Sequence, residues 1–279
     1  MMSGNKSEWS SSQRSLALHI AALQKEALGR KTEAPPAVKE EKAEEKHEEV
    51  KHEENRKLLE GKRLFHMKRW ENALKEFQLV NVDNIEASEQ VELAYYLGLC
   101  YTKLERYDEA LLYLEQVVTV GNNPLRSYQC RMTLALIYIR TNRAKMAEFE
   151  LKRLKNNGFE STHMYNAMAF AAYAQKRYRQ AIEYYEKTLE LDNNNATAMN
   201  SMGYILADRG FDTMRGLTFC RKAVDIKPRN AAYMDSLGWA YYKCGEITEA
   251  RSWLQKAIDS APKENEIREH FRIVTGEAV

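Results

Sequence analysis

The feature that most restricts this chain is a small residue that returns at nearly constant intervals. Gly61, Gly98, Ala135, Ala169, Gly203 and Gly238 are separated by 37, 37, 34, 34 and 35 positions. Each is followed by a second small residue: Ala73, Ala110, Ala147, Ala181, Gly216 and Ala250 in turn. A larger apolar side chain then closes each copy, at Phe77, Leu114, Leu151, Tyr185, Cys220 and Leu254. Such a period marks a stack of helical hairpins, none of which can bury its apolar face alone. The paired small residues stand where the two helices of a hairpin must approach closely, and the larger ones fill the seams.

The best-formed copy runs from Asn230 to Lys263 (NAAYMDSLGWAYYKCGEITEARSWLQKAIDSAPK). Leu237 and Gly238 sit together, and Tyr241, Gly245, Ala250, Leu254, Ala257 and Pro262 follow. Pro262 cannot continue a helix, so it ends the hairpin. The other copies depart from this pattern mainly at turns, where extra length costs little entropy. Asn81–Gln90 and Gly121–Ser127 lengthen the first two intervals, and RGFDTMRG adds one residue to the fifth. The third copy is the most eroded: Arg131 stands where a large apolar residue is expected, and Asn156-Asn157-Gly158 replaces the closing proline.

These offsets resemble the tetratricopeptide repeat (TPR), with Met234 and Leu254 in place of the usual Trp and Phe. Together with ADRG (207–210), DSLGWAYY (235–242) and the closing helix described below, they look most like bacterial TPR proteins. The resemblance covers roughly residues 54–275. It implies an all-α α-solenoid, a right-handed superhelix of six hairpins at about 54–88, 91–124, 128–161, 162–195, 196–229 and 230–263.

Outside the period lie two other regions. Residues 1–53 form an expected flexible extension. Within it, Leu16, Ile20, Leu23 and Ala27 suggest a short amphipathic helix over about 12–28, followed by a Lys/Glu-rich linker after Pro35-Pro36. Residues 264–279 hold Ile267, Phe271 and Val274 at helical spacing, an amphipathic cap for the exposed end of the stack.

Composition removes other classes. Lys and Arg number 42 against 40 Asp and Glu, a net charge of +2, without the basic excess of a nucleic-acid binder. No run reaches the length and apolarity of a membrane helix. Leu16–Leu23 follows basic residues but contains His19 and lacks a small-x-small cleavage site, so it does not read as a secretion signal. Cys100, Cys130, Cys220 and Cys244 are far apart, fall in helical positions and fit reduced, buried thiols. A cytoplasmic protein is therefore expected, with a periplasmic or envelope-associated one as the alternative.

No phosphate loop, nucleophile elbow or HExxH helix occurs. In the KHEE pair, His47 and His52 are five apart and leave a single helix face, so they belong to a solvated linker. Neither a metal nor a cofactor is expected, and the chain is not read as an enzyme. Around Arg140, Arg143, Lys145, Lys152, Arg153 and Lys155 the basic residues alternate with Glu148 and Glu150, as on a solvated face.

The TPR resemblance implies instead a concave groove lined from the first helix of each hairpin. The implied lining is Leu58, Lys62 and Phe65; Tyr95, Leu99 and Thr102; Met132, Leu136 and Ile139. It continues with Asn166, Phe170 and Tyr173; Asn200, Tyr204 and Ala207; Asp235, Trp239 and Tyr242. The last three hairpins are richest in aromatic rings, beside a column of short polar groups: Asn166, Asn200 and Asp235. An amide both donates and accepts, so the column suits an extended peptide backbone while Phe170, Tyr204 and Trp239 hold apolar side chains.

The expected site is thus Asn166, Phe170, Tyr173, Asn200, Tyr204, Asp235, Trp239 and Tyr242, and the expected partner an extended or helical protein segment. TPR proteins that clamp a terminal carboxylate place Lys where this chain has Leu58, Tyr95, Met132, Asn166, Asn200 and Asp235, so no carboxylate clamp is expected. The expected function is that of a non-catalytic adaptor or scaffold. The alternative is a structural part of a larger assembly, docked through the N-terminal helix or the convex face.

Overall fold

The computed structural model describes residues 40–121 and 123–276. The amphipathic stretch expected at about 12–28 lies outside them. Among the described residues there are thirteen α-helices and no strands. The helices are α1 (Glu40–His66), α2 (Trp70–Gln78), α3 (Ala87–Lys103), α4 (Tyr107–Val120), α5 (Pro124–Arg140), α6 (Ala144–Asn156) and α7 (Thr162–Ala174). They continue as α8 (Tyr178–Leu191), α9 (Ala196–Asp208), α10 (Thr213–Ile226), α11 (Ala231–Lys243), α12 (Ile247–Ser260) and α13 (Asn265–Thr275). This is the all-α architecture that the period demands. The first helix is longer than expected: it starts at Glu40, so the Lys/Glu-rich stretch is already helical well ahead of residue 54. Alternating Lys and Glu are good helix formers, and α1 has a packed end to propagate from.

The chain divides into two compact units, residues 1–130 and 131–279. In the first, α1 packs on α2 and α3 on α4. Asn81 caps a short 3-10 turn between these hairpins, and a reciprocal Glu86–Glu89 capping box starts α3.

The second unit holds hairpins α7–α8, α9–α10 and α11–α12, with α13 against both α11 and α12. Side-chain oxygens start its first helices. Ser161 accepts from the Met164 amide at 3.2 Å, Asn195 from Ala198 at 3.1 Å, and Asn230 from Tyr233 at 3.1 Å. Arg131, the apparent misfit of the third copy, is buried and paired at 2.6 Å with Glu150, itself buried on α6. A charge pair therefore occupies the seam where the other copies place an apolar contact.

The paired small residues lie where the sequence argument puts them. Ala73, Ala110, Ala147, Ala181 and Ala250 are fully covered. The fifth copy closes tightest, because both of its positions are glycine. A Cβ on Gly203 would sit 2.8 Å from the Gly216 carbonyl oxygen and 2.9 Å from the Cys220 nitrogen. The Cys220 Sγ stands as near, at 2.8 Å, but its moving aside would leave the two backbone contacts in place.

Each hairpin turns through one left-handed residue: Lys68, Glu105, Asn142, Lys176, Gly210 and Gly245. In the second hairpin the amide of Arg106 reaches back to the Tyr101 carbonyl at 2.9 Å, and in the fourth Arg177 reaches Ala172 at 2.9 Å. These are Schellman closures, which satisfy the last carbonyls of the preceding helix. Only the last two hairpins use glycine for the turn.

Candidate functional site

Residues of α7, α9 and α11, the first helices of the last three hairpins, together with Tyr185 of α8 and Glu266 of α13, line an open pocket of about 360 Å³. That falls in the roughly 300–1,000 Å³ range of small-ligand and side-chain sites. Five of the eight expected residues line it: Phe170 and Tyr173 from α7, Asn200 and Tyr204 from α9, and Asp235 from α11. Ser201 and Ser236 line it as well, each one position after a member of the polar column.

Phe170 is 48% exposed, a large apolar ring left facing solvent beside the pocket. Tyr173 is half-buried and packs edge-on against Tyr178, with ring centres 5.7 Å apart. Asn200 is nine-tenths buried, and among the described residues its Oδ1 has no hydrogen-bond partner. Leaving a buried acceptor unpaired costs about 1–3 kcal/mol. Burial pushes the Tyr185 phenol up to about 12, so it enters any chemistry here as a neutral ring.

The other expected residues are placed differently. Asn166 is half-buried, and its Nδ2 lies 3.4 Å from Oδ1 of Asn195, the residue that caps α9. Trp239 is buried: its Nε1 donates to Asp208 at 2.9 Å, and its ring stacks 4.2 Å from that of His270 on α13. Tyr242 lies against the same indole, with ring centres 5.2 Å apart. The His270 Nδ1 also lies 2.9 Å from Oδ2 of Asp235. Trp239 and Tyr242 therefore sit in the joint between α11 and the closing helix, next to the pocket and outside its lining.

His270, Asp208 and Glu266 escaped the sequence reading. Yet His270 stands 35 positions after Asp235, so the column Asn166, Asn200, Asp235 continues into α13. Counting one more period finds it. The closing helix thus takes the place of the first helix of an unfinished seventh hairpin. Asp208, at the end of α9, binds Arg209 at 2.9 Å and Lys243 at 3.5 Å besides Trp239.

Elsewhere in the second unit, the expected basic face is partly neutralised from within. Glu148 accepts from Lys152 at 2.8 Å, Gln175 at 3.0 Å and Arg177 at 3.1 Å. Burial alone would raise its carboxyl, but the bonds from Arg177, Lys152 and Gln175 bring it down to about 2. Among the described residues, no group of three or more His, Cys, Asp or Glu is placed to hold a metal ion. No helix among them is long and apolar enough to cross a membrane.

Three segments match models of the tetratricopeptide repeat family, at residues 95–126, 164–195 and 230–261. A TPR repeat-containing protein of Pseudomonas aeruginosa is 34% identical over 78 residues. That alignment covers 28% of this chain and 13% of the relative, so the chain spans only a small part of its length. Among solved structures, the crystal structure of MamA is similar at a TM-score of 0.53 and 19% identity, covering 68% of this chain and 98% of that one. The crystal structure of YrrB, described as a TPR protein with an unusual peptide-binding site, is similar at a TM-score of 0.52 and 17% identity. It covers 66% of this chain and 94% of that one. At these identities the structures establish a shared fold.

Proposed function

We propose that this chain, a tetratricopeptide-repeat protein, is a non-catalytic adaptor that holds a segment of a partner protein across α7, α9 and α11. The observation that carries the reading is the pocket itself. An exposed Phe170 and a half-buried Tyr204 flank a nine-tenths-buried Asn200 with an unmatched acceptor. Aromatic anchors beside a few fixed polar groups are what peptide hot spots use. The description of YrrB as peptide-binding is in keeping with this reading. Four free thiols fit a cytoplasmic setting. Trp239 and Tyr242 act in this scheme from behind, by fixing Asp235 and α13 at the edge of the pocket.

The test is a peptide selection against the full chain from a displayed library, followed by titration of the selected peptides. Phe170→Ala removes an exposed ring, so the melting temperature should stay within a degree or two while affinity falls about tenfold or more. Peptides that bind the variant as tightly as the parent would place the site elsewhere.

A further inference from the structure

The chemistry of the pocket is one-sided. Its charged lining residues are Asp235 and Glu266, Asn200 adds a side-chain amide whose Oδ1 is covered and unmatched among the described residues, and none of its lining residues is basic. Glu266 is exposed, and among the described residues no basic side chain pairs with it. The nearby bases are already engaged: Arg209 on Asp208 and on the Tyr173 phenol at the pocket wall, Lys243 on Asp208, and His270 on Asp235. Its aromatic lining residues are Phe170, Tyr173, Tyr185 and Tyr204.

We propose that this pocket receives a lysine or arginine side chain from the bound segment. The aliphatic stem would lie along Phe170 and Tyr204, and the cationic head would meet Glu266, the outer side of Asp235 and, after rotation about χ2, Asn200 Oδ1. Cations are drawn to aromatic faces, and long basic side chains bury their stems while keeping the head on polar groups. An apolar occupant would cover acceptors without satisfying them, and an acidic one would be repelled by Glu266. The Tyr204 phenol reports the same field. Burial raises its pKa most, and the carboxylates of Asp208, Glu266 and Asp235 raise it further.

The assignment rests on the adaptor reading and sharpens it, because it names the side chain that the groove selects. The probes are the Nα-acetyl N-methylamides of lysine, arginine, norleucine and glutamine, titrated into the isotope-labelled full chain by NMR. The side-chain amide of Asn200 and the rings of Phe170 and Tyr204 are the reporters. Lysine and arginine should shift them saturably, at least fivefold more tightly than norleucine or glutamine. Glu266→Gln, a change at an exposed position, should remove most of that preference, and added salt should weaken it.

Norleucine binding as well as lysine would overturn the cationic assignment and leave the groove reading standing. Silence at all three reporters with every probe would remove both. If deletion of residues 1–39 switches on a norleucine response that the full chain lacks, the pocket belongs to the chain's own Leu16–Leu23 stretch, and the cationic assignment fails.

Discussion

At the residue scale, single positions carry costs that the repeat pattern does not display. Lys68, Glu105, Asn142 and Lys176 hold a left-handed backbone that costs a non-glycine residue about 1–2 kcal/mol. Glu105→Gly should therefore raise the melting temperature, by up to about 1 kcal/mol of stability after glycine's own entropy, measured by thermal circular dichroism. Glu148 gives a pH signature. Its folded carboxyl sits near 2, below the unfolded value of about 4.3, so its contribution is present above the unfolded value. It is lost as pH falls through the folded one. The stability gap between the parent and Glu148→Gln should be roughly 2–3 kcal/mol at pH 7 and should close between about pH 4.5 and 2, read by urea titration at each pH. Neither effect was legible in the sequence. A left-handed turn at Lys or Glu leaves no residue signature, and Glu148 looked like one acid in a basic run until Gln175 and Arg177 were seen to fold back on it. The polar column was legible because its members repeat. The burial of Trp239 was not, since it depends on His270 from the next helix and on Asp208 from the previous hairpin.

At the scale of elements, the hairpin rule in the sequence translates directly into backbone separation. Gly203→Ala would force a methyl group into the Gly216 carbonyl, so a loss of about 1–3 kcal/mol is expected in chemical denaturation. Ala169→Gly, at the equivalent position of the fourth hairpin, should cost only about 1 kcal/mol through helix propensity. The closing helix is a second element whose role the sequence announced, through Ile267, Phe271 and Val274, all buried here. Each such side chain contributes about 1.5–3 kcal/mol by burial. Removing residues 264–279 should therefore lower the melting temperature markedly and expose Trp239, read as a red shift of tryptophan emission. What the sequence concealed is that α13 also supplies Glu266 to the pocket, because that contribution comes from its polar face.

At the scale of the whole molecule, stability in a repeat array is close to a sum of units and neighbouring interfaces. The second compact unit contains every residue of the proposed site. A chain of residues 162–276 should accordingly fold alone, with helical circular dichroism and a sharp melt. It should retain the affinity of the full chain for selected peptides. The period gave away the helices because each copy repeats the same small-residue contact. It gave little about the pocket, because a pocket is defined by where copies differ: Ser201 for Ala167, Ser236 for Ser201, Glu266 beyond the last full copy. The pocket is lined from α7, α8, α9, α11 and α13, so an occupant would tie three hairpins and the closing helix together. Under tension applied at the C-terminus, such an array would peel one helix pair at a time from α13 inward. A ligand lodged across three hairpins would act as a rivet, so that a load once shed in small steps is released in one larger rupture.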